Sequence, residues 1–101
     1  MIDGAWFVYL LECKGGRIYT GVTPDLEGRM KVHADGDGAK FTKWNPPVRL
    51  LAICPQASQR DALKLEIQVK RMPAKGKRLL AGIWLQQHPV DEALQQFFAM
   101  H

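Results

Sequence analysis

The segment that most restricts the fold of this chain is a short, nearly continuous apolar run over residues 6–12. A run of this kind suits a β-strand that is buried on both of its faces. The Lys14-Gly15-Gly16 sequence that follows has turn chemistry, and residues 17–22 have the composition of a second strand. The beginning of the chain is therefore predicted to fold as a β-hairpin.

The length of the hairpin turn decides how Tyr9 and Tyr19 lie relative to each other. A three-residue loop would place Gly16 in the left-handed conformation and form a bulge. Tyr9 would then pair with Gly21. Tyr19 would pair with Leu11, so that both phenol rings would lie on one face of the hairpin. Other loop lengths would send the rings to opposite faces, and the double glycine permits the first arrangement without requiring it.

One further strand and four helices are predicted beyond the hairpin. The strand covers residues 48–54, directly after two consecutive prolines that exclude a helix at that point. Thr23 is predicted to cap the first helix and Ser58 the second. The predicted helices run over residues 24–33, 59–72, 74–81 and 89–100. This order describes an α+β fold, a small three-stranded antiparallel sheet flanked by helices.

The composition limits the kind of protein that this chain can be. Its 101 residues are the length of one domain, and a hydrophobic content of 47% is that of a globular protein. No apolar run approaches the roughly 20 residues that cross a bilayer, and the N-terminus lacks the basic start of a signal peptide. We therefore expect a cytoplasmic, monomeric protein with no membrane contact. The formal net charge of +4 favours a polyanionic partner such as nucleic acid.

Glu66 does not fit a purely structural interpretation of its helix. It lies near the middle of the apolar arc that this helix presents to a core. That arc consists of Ala62, Leu63, Leu65 and Val69. A buried carboxylate is costly unless it is paired or binds metal. From the helix pattern alone, an ion pair and a metal ligand explain Glu66 equally well.

Arg29 and His33 are four residues apart and share one face of the first helix, beside the apolar Leu26 and Met30. An arginine in this position could hold a phosphate with two hydrogen bonds, and a histidine could move a proton. On spacing alone, a solvated helix flank is the favoured interpretation of both residues.

Lys40, Lys43 and Arg49 are interleaved with Phe41 and Trp44, just after a glycine-rich stretch. Cations beside exposed aromatic rings suit contact with a nucleic-acid backbone and stacking on its bases. A solvated loop with one or two side chains tucked into the core explains the pattern equally well.

Taken together and in order, these residues resemble the GIY-YIG nuclease domain. The resemblance rests on Phe7-Val8-Tyr9, Tyr19-Thr20-Gly21, Arg29, His33 and Glu66. A finer resemblance is to the small stand-alone bacterial group called YhbQ-like or UPF0213, and it covers about residues 6–81. The chain is accordingly expected to be a single domain over residues 1–101, with a helical extension over residues 83–101.

The resemblance implies hydrolysis of a DNA phosphodiester bond with one divalent metal ion, Mg²⁺ or Mn²⁺. It makes Glu66 the metal ligand and Arg29 the residue that steadies the scissile phosphate. Tyr9, Tyr19 and His33 would position and activate the water, and the resemblance does not decide which of them is the general base. The residues expected to contact DNA are Lys40, Phe41, Lys43, Trp44, Arg49 and Lys70.

The motifs depart from the family pattern at a few positions. Phe7 and Val8 replace the glycine and isoleucine of the first motif, and Thr20 replaces the isoleucine of the second. Gly28 stands where relatives often carry a basic residue, so a possible phosphate contact is missing. Gly21 is retained and is expected to let the backbone pass close to the site.

The favoured function is an active nuclease in DNA repair or processing with little sequence specificity, because the chain has no separate targeting domain. The alternative is a nucleic-acid-binding module that cleaves poorly or serves as a subunit of a larger repair complex, and RNA is a third possible substrate. A protein partner would then supply targeting. The apolar residues of the extension would dock on the domain or contact such a partner, and they are Val90, Leu94, Phe97 and Phe98.

Overall fold

The sheet is built around the first strand of the chain. The computed structural model describes residues 5–99, and these contain the strands β1 (Trp6–Cys13), β2 (Ile18–Thr23) and β3 (Pro47–Gln56). Both pairings are antiparallel and the order is β2-β1-β3, so the apolar run of β1 lies in the centre. The predicted three-stranded antiparallel sheet of an α+β protein is confirmed.

Within the described residues, five helices and a C-terminal 3-10 turn flank this sheet. They are α1 (Leu26–Ala34), α2 (Lys40–Trp44), α3 (Gln59–Lys70), α4 (Ala74–Gln87), the 3-10 turn Glu92–Gln95 and α5 (Gln96–Ala99). None of the helices between residues 5 and 99 has the length and apolar character needed to cross a membrane.

Three of the helix predictions need correction. The stretch that forms α2 was expected to be a loop, and α4 continues past its predicted end at residue 81. It continues because Trp84 packs in the core one turn further on, while Gly82 is exposed and costs the helix only about 1 kcal/mol. The helix predicted over 89–100 is split into the 3-10 turn and α5, and residue 100 lies outside the described range.

The turn between β1 and β2 is the three-residue turn Lys14–Gly16, which forms a short 3-10 helix. Gly15 and Gly16 have φ angles of 79° and 77°, so both residues, rather than Gly16 alone, use the left-handed region. Tyr9 pairs with Gly21, as predicted for a loop of this length. The two tyrosines therefore lie on the same face of the sheet.

Successive side chains of β1 point to opposite faces of the sheet. Val8 and Leu10 lie on the first face, where they pack with buried residues of α3 and α4. Tyr9 and Leu11 lie on the second face, where they pack with Met30 of α1 and with the C-terminal segment. The central strand is thus buried on both faces, as its apolar run predicts.

The helix caps confirm one prediction and correct another. Ser58 caps α3 by accepting a hydrogen bond from the N–H of Asp61 at 3.1 Å, as predicted. Thr23 is not the cap of α1, because it is the last residue of β2. Asp25 caps this helix instead by accepting from the N–H of Gly28 at 3.0 Å, while the Thr23 hydroxyl bonds to the backbone of Asp25.

The C-terminal segment docks on the second face of the sheet. Its apolar side chains that pack there are Val90, Leu94, Phe97 and Phe98. Gln95 adds a polar link to the edge strand β3: its side-chain amide donates to the carbonyl of Leu50 at 2.7 Å and accepts from the N–H of Leu50 at 2.9 Å. The two hydrogen bonds satisfy the N–H and the carbonyl of Leu50, which would otherwise be unpaired at this edge of the sheet.

Replacing Gln95 with alanine is expected to lower the free energy of unfolding by about 1–3 kcal/mol, because two partly buried backbone groups of Leu50 lose their partner. Urea unfolding of the purified variant measures the change. Gln96→Ala is the matched control, since Gln96 is exposed, and it should stay within about 0.5 kcal/mol of the wild type. Equal losses in both variants would show that the Gln95 link contributes nothing.

Candidate active site

Three ring-bearing side chains meet between the second face of the sheet and α1. The Oη atom of Tyr9 lies 2.8 Å from Nε2 of His33, and this hydrogen bond is buried. The ring centroids of Tyr19 and His33 are 5.3 Å apart, and those of the two tyrosines are 6.2 Å apart. The hairpin register places both phenols on one face, and the packing of α1 brings the imidazole against them.

Two glycines make this close approach possible. A Cβ atom on Gly21 would overlap the phenol of Tyr9 and would lie 2.9 Å from a ring carbon of Tyr19. A Cβ atom on Gly38 would overlap the imidazole ring of His33. The first of these positions was expected to be structural, whereas Gly38 was missed because a glycine-rich loop gives no sign of which ring it contacts.

Burial determines the protonation of the central pair. Tyr9 and His33 are each only 1% exposed. Burial raises the pKa of Tyr9 well above its usual value. Burial, with the positive charge of Arg29 as the second cause, lowers the pKa of His33 to about 4. At neutral pH the site therefore holds a neutral phenol and an uncharged imidazole, and His33 does not lie on a solvated helix flank.

The lowered pKa of His33 predicts how stability depends on pH. The unfolded chain binds this proton near pH 6.5 and the folded protein only near pH 4, so acid favours unfolding between these values. The stability contributed by the neutral, buried ring is complete above pH 6.5 and is lost as the pH falls through 4. The loss amounts to about 3 kcal/mol, at 1.36 kcal/mol per pKa unit.

This contribution can be isolated by comparing the wild type with His33→Asn in urea unfolding series at several pH values. The wild type is expected to lose about 3 kcal/mol more than the variant between pH 6.5 and pH 4, because only the wild type can titrate at position 33. Parallel curves for the two proteins would mean that folding does not shift the His33 pKa.

The opposite charges of Arg29 and Glu66 both act on the two phenols. Burial raises the pKa of Tyr19, the charge of Glu66 raises it further, and the charge of Arg29 lowers it. Burial and the neighbouring Tyr19 are the two largest causes of the raised pKa of Tyr9. The charge of Arg29 lowers this pKa, and the charge of Glu66 raises it. Arg29 itself is exposed, so its guanidinium is accessible to a phosphate. Tyr9, Tyr19 and His33 are thus in contact with one another, and the charges of Arg29 and Glu66 both act on the two phenols.

The environment of Glu66 fits a metal ligand of limited strength. Its side chain is 14% exposed, and its ion pair with Lys70 is long, at 3.6 Å, so carboxylate lone pairs remain available. Between residues 5 and 99 no three His, Cys, Asp or Glu side chains gather in a metal-binding group. A metal held by Glu66 would fill its other positions with water and phosphate oxygens, which is how Mg²⁺ commonly binds.

Four of the six residues expected to contact DNA lie together on α2. The ring centroids of Phe41 and Tyr19 are 5.8 Å apart, so α2 adjoins the site. Trp44 is 81% exposed, and Lys40 and Lys43 are also exposed. The fifth residue, Lys70, is beside Glu66, as its ion pair shows.

Arg49, the sixth residue expected to contact DNA, is not brought to the site. It pairs with Glu12 at 3.1 Å, and Arg78 of α4 binds the other oxygen of that carboxylate at 2.7 Å. Because Glu12 alternates with Leu11 along β1, this ion-pair group lies on the first face of the sheet, away from the tyrosines. Arg49 is near α2 in the sequence, but it belongs to the strand β3. An irregularity in the pairing of β3 with β1 lies between Pro47 and Arg49.

Thr42 is the functional candidate that the sequence analysis missed. It is 2% exposed, and its hydroxyl lies 3.2 Å from Nδ1 of His33. The same oxygen accepts from the N–H of Ala39 at 3.1 Å and donates to the carbonyl of Ala39 at 3.0 Å. The available signal was a small polar residue between the cations and aromatic rings of α2, which is weak without the fold.

Comparison with known proteins identifies the class of protein that this fold and site define. Residues 5–79 match the family model described as the GIY-YIG catalytic domain, and the chain belongs to this family. Membership indicates nuclease activity. The match ends within α4, so the C-terminal segment lies beyond it.

Within the family, the chain groups with the UPF0213 proteins. It is 45% identical to a UPF0213 protein of Cupriavidus necator, over 75% of this chain and 83% of the relative. It is 44% identical to one of Xanthomonas axonopodis pv. citri, over 83% and 78%. The solution NMR structure of a UPF0213 protein from Bacillus halodurans is 40% identical, with a TM-score of 0.50 over 78% of this chain and 84% of that one. The names of these relatives state no activity.

Proposed function

We propose that this protein is an endonuclease that hydrolyses DNA phosphodiester bonds with one divalent metal ion, Mg²⁺ or Mn²⁺. The proposal includes a role in DNA repair or processing in the cytoplasm, with little sequence specificity. The observation that carries it is the hydrogen bond of 2.8 Å between Tyr9 and His33, beside the charges of Arg29 and Glu66. A proton acceptor, a phosphate-binding cation and a metal ligand are the groups that metal-assisted hydrolysis requires.

The Tyr9–His33 pair supplies the proton acceptor. As a water molecule attacks phosphorus, its proton passes to Oη of Tyr9 and the phenol's own proton passes to Nε2 of His33. The water oxygen becomes bonded to phosphorus, the bond to the leaving oxygen breaks, and that oxygen takes a proton from solvent. Burial keeps the pKa of His33 low and the ring uncharged before the reaction, so Nε2 is free to accept.

Binding of the phosphate makes this acceptor stronger. The positive charge of Arg29 is the second cause of the low pKa of His33, after burial. A phosphate held by the guanidinium would neutralise that charge and would itself favour the imidazolium that forms. Arg29 thus binds the substrate and adjusts the basicity of His33 at the same moment.

Glu66 is the residue proposed to hold the metal. When bound, the metal would stabilise the negative charge that develops on the phosphoryl oxygens. Lys70 neutralises part of the carboxylate charge and, being half exposed, can also contact a neighbouring phosphate. With one protein ligand, we expect weak metal binding in the absence of DNA.

The proposed DNA surface follows α2 and leaves out Arg49. Lys40 and Lys43 would contact the phosphate backbone, while the exposed Trp44 offers a ring on which a base can stack. Phe41 links this surface to the aromatic rings of the site.

The salt dependence of DNA binding tests this surface. Each phosphate contact adds about 0.7–0.9 to the slope of log affinity against log salt concentration. Lys43→Gln is therefore expected to reduce the slope by almost one unit, whereas Arg49→Gln, which removes the same charge on the other face, should leave it unchanged. Fluorescence anisotropy over a salt series measures both slopes. A reduced slope for Arg49→Gln would restore Arg49 to the DNA surface.

The experiment that tests the function is cleavage of a panel of labelled DNA substrates by the purified protein. The panel contains supercoiled plasmid, single strands, flaps and branched junctions, with Mg²⁺, Mn²⁺ or EDTA in parallel reactions. Metal-dependent cutting is the expected result, and the preferred substrate would indicate the process. Binding without cutting would favour the alternative, a binding module or subunit of a larger complex. Cutting of RNA alone in a matched panel would make RNA the substrate.

A further inference from the structure

We infer that Thr42 is a positioning residue that fixes the ring tautomer of His33, with the hydrogen on Nδ1, so that Nε2 is left to accept the proton of Tyr9. This inference rests on the proposed function for its importance in a reaction, but its structural content can be tested without one. Thr42 touches neither the phosphate nor the attacking water in this proposal, and it acts only through His33.

The hydrogen-bonding capacity of the Thr42 hydroxyl decides which nitrogen of His33 carries the hydrogen. A threonine hydroxyl has one hydrogen to donate and two lone pairs that accept. The N–H of Ala39 donates to one lone pair at 3.1 Å, and the hydrogen is donated to the carbonyl of Ala39 at 3.0 Å. With the hydroxyl hydrogen on this carbonyl, only the second lone pair remains for Nδ1 of His33 at 3.2 Å, so this nitrogen supplies the hydrogen.

The other nitrogen of the ring then has a defined role. A neutral imidazole with its hydrogen on Nδ1 carries an acceptor lone pair on Nε2. That lone pair faces the hydroxyl of Tyr9 at 2.8 Å, so the phenol donates. In the opposite tautomer, the Thr42 hydroxyl would have to turn to Nδ1 and give up its bond to the Ala39 carbonyl. Of the hydrogen bonds that Thr42 and His33 can make, this tautomer keeps the larger number, and it is the one that prepares Nε2 as a base.

The surroundings hold this arrangement in place. Thr42 and His33 are 2% and 1% exposed, so water competes little for these hydrogen bonds. Gly38 lies against the imidazole so closely that no side chain fits between them, and this contact limits rotation of the ring. When the ring receives the proton, Thr42 still accepts from Nδ1, so the imidazolium keeps a partner on each nitrogen.

The test is to determine the His33 tautomer directly by ¹⁵N NMR of the imidazole nitrogens, without DNA or metal. The wild type should carry its hydrogen on Nδ1. In Thr42→Val, which keeps the side-chain shape but removes the hydroxyl, the hydrogen should move to Nε2. Thr42→Ser keeps the hydroxyl and its bonds to Ala39, and it should preserve the wild-type tautomer. A wild-type hydrogen on Nε2, or an unchanged tautomer in folded Thr42→Val, would overturn the inference.

Thr20→Val is the matched control for the chemical change. Thr20 is 2% exposed, and its hydroxyl is the one buried side-chain polar atom without a hydrogen-bond partner among residues 5–99. The same substitution there removes no hydrogen bond and should leave the His33 tautomer as it is. This control separates the loss of the Thr42–His33 bond from the general effect of replacing a buried threonine.

Cleavage kinetics supply the second readout. The turnover number kcat should fall roughly 10- to 100-fold in Thr42→Val with little change in KM, by analogy with the groups that orient metal-bound histidines through the second nitrogen. Thr42→Ser should recover most of this loss. A kcat of Thr42→Val no lower than that of Thr20→Val would overturn the positioning role. A wild-type protein that cuts no DNA would contradict the proposed function, while the NMR experiment would still decide the tautomer.

Discussion

Replacing Glu66 with glutamine is expected to reduce DNA cleavage by at least about 10³-fold, because a bound metal ion contributes several kcal/mol of transition-state stabilisation. Glutamine keeps the size of the side chain but removes the charge that would hold the cation. DNA affinity measured in EDTA should be unchanged or higher, since a carboxylate beside the phosphate is removed. Initial cleavage rates at saturating Mn²⁺ and Mg²⁺ measure the loss.

The same variant distinguishes a metal ligand from a structural ion-pair partner. Glu66 pairs with Lys70 at 3.6 Å, and half of the Lys70 side chain is exposed, so losing this pair should cost less than about 1 kcal/mol of stability. Glu92→Gln, at an exposed position in the C-terminal 3-10 turn, is the control for loss of one negative charge. If Glu66→Gln cleaves at the control rate but unfolds more easily, Glu66 is structural and the proposed metal site is wrong.

Replacing Tyr9 with phenylalanine is expected to lower kcat by about 10²–10⁴-fold, the usual contribution of a positioned general base. The substitution removes only the hydroxyl that lies 2.8 Å from Nε2 of His33, and the ring remains in the core beside Gly21. KM for DNA should change little, because Tyr9 is buried and holds no phosphate. Single-turnover cleavage at saturating metal separates this loss from any change in product release.

A double-mutant cycle shows whether Tyr9 and His33 act as one proton acceptor. If the proton passes through both groups, Tyr9→Phe combined with His33→Asn should be little slower than either single variant. Independent roles would instead multiply the two losses. Tyr9→Phe activity within threefold of the wild type would exclude the tyrosine as the group that receives the water proton.

Much of the fold could be predicted because its signals are local. The double glycine and the alternation of side chains permit the register that places Tyr9 opposite Gly21, and the three-residue turn selects it. Ser58 could be recognised as a cap because it bonds three residues ahead. Thr23 satisfied the same local rule and failed, since pairing with β1 extends β2 through that residue.

The five candidate catalytic residues were proposed from the sequence because, taken in order, they resemble one family; singly, only Glu66 departs from its local pattern. Their burial could not be predicted. Spacing alone puts His33 on a solvated flank, yet packing of α1 against the second face of the sheet leaves it 1% exposed. That contact joins residues 24 positions apart in the chain, and no helical periodicity carries information over such a separation.

What the sequence determined by itself is therefore the three strands, most of the helices and the chemical groups available for a site. Only the tertiary structure decided which of these groups meet. In the fold, Thr42 contacts His33, Arg49 pairs with Glu12 on the opposite face of the sheet, and Gln95 bonds to the edge strand β3. The physical reason is that periodicity specifies which side of an element is apolar. Whether a polar residue at the margin of that side is buried depends on which distant element packs there.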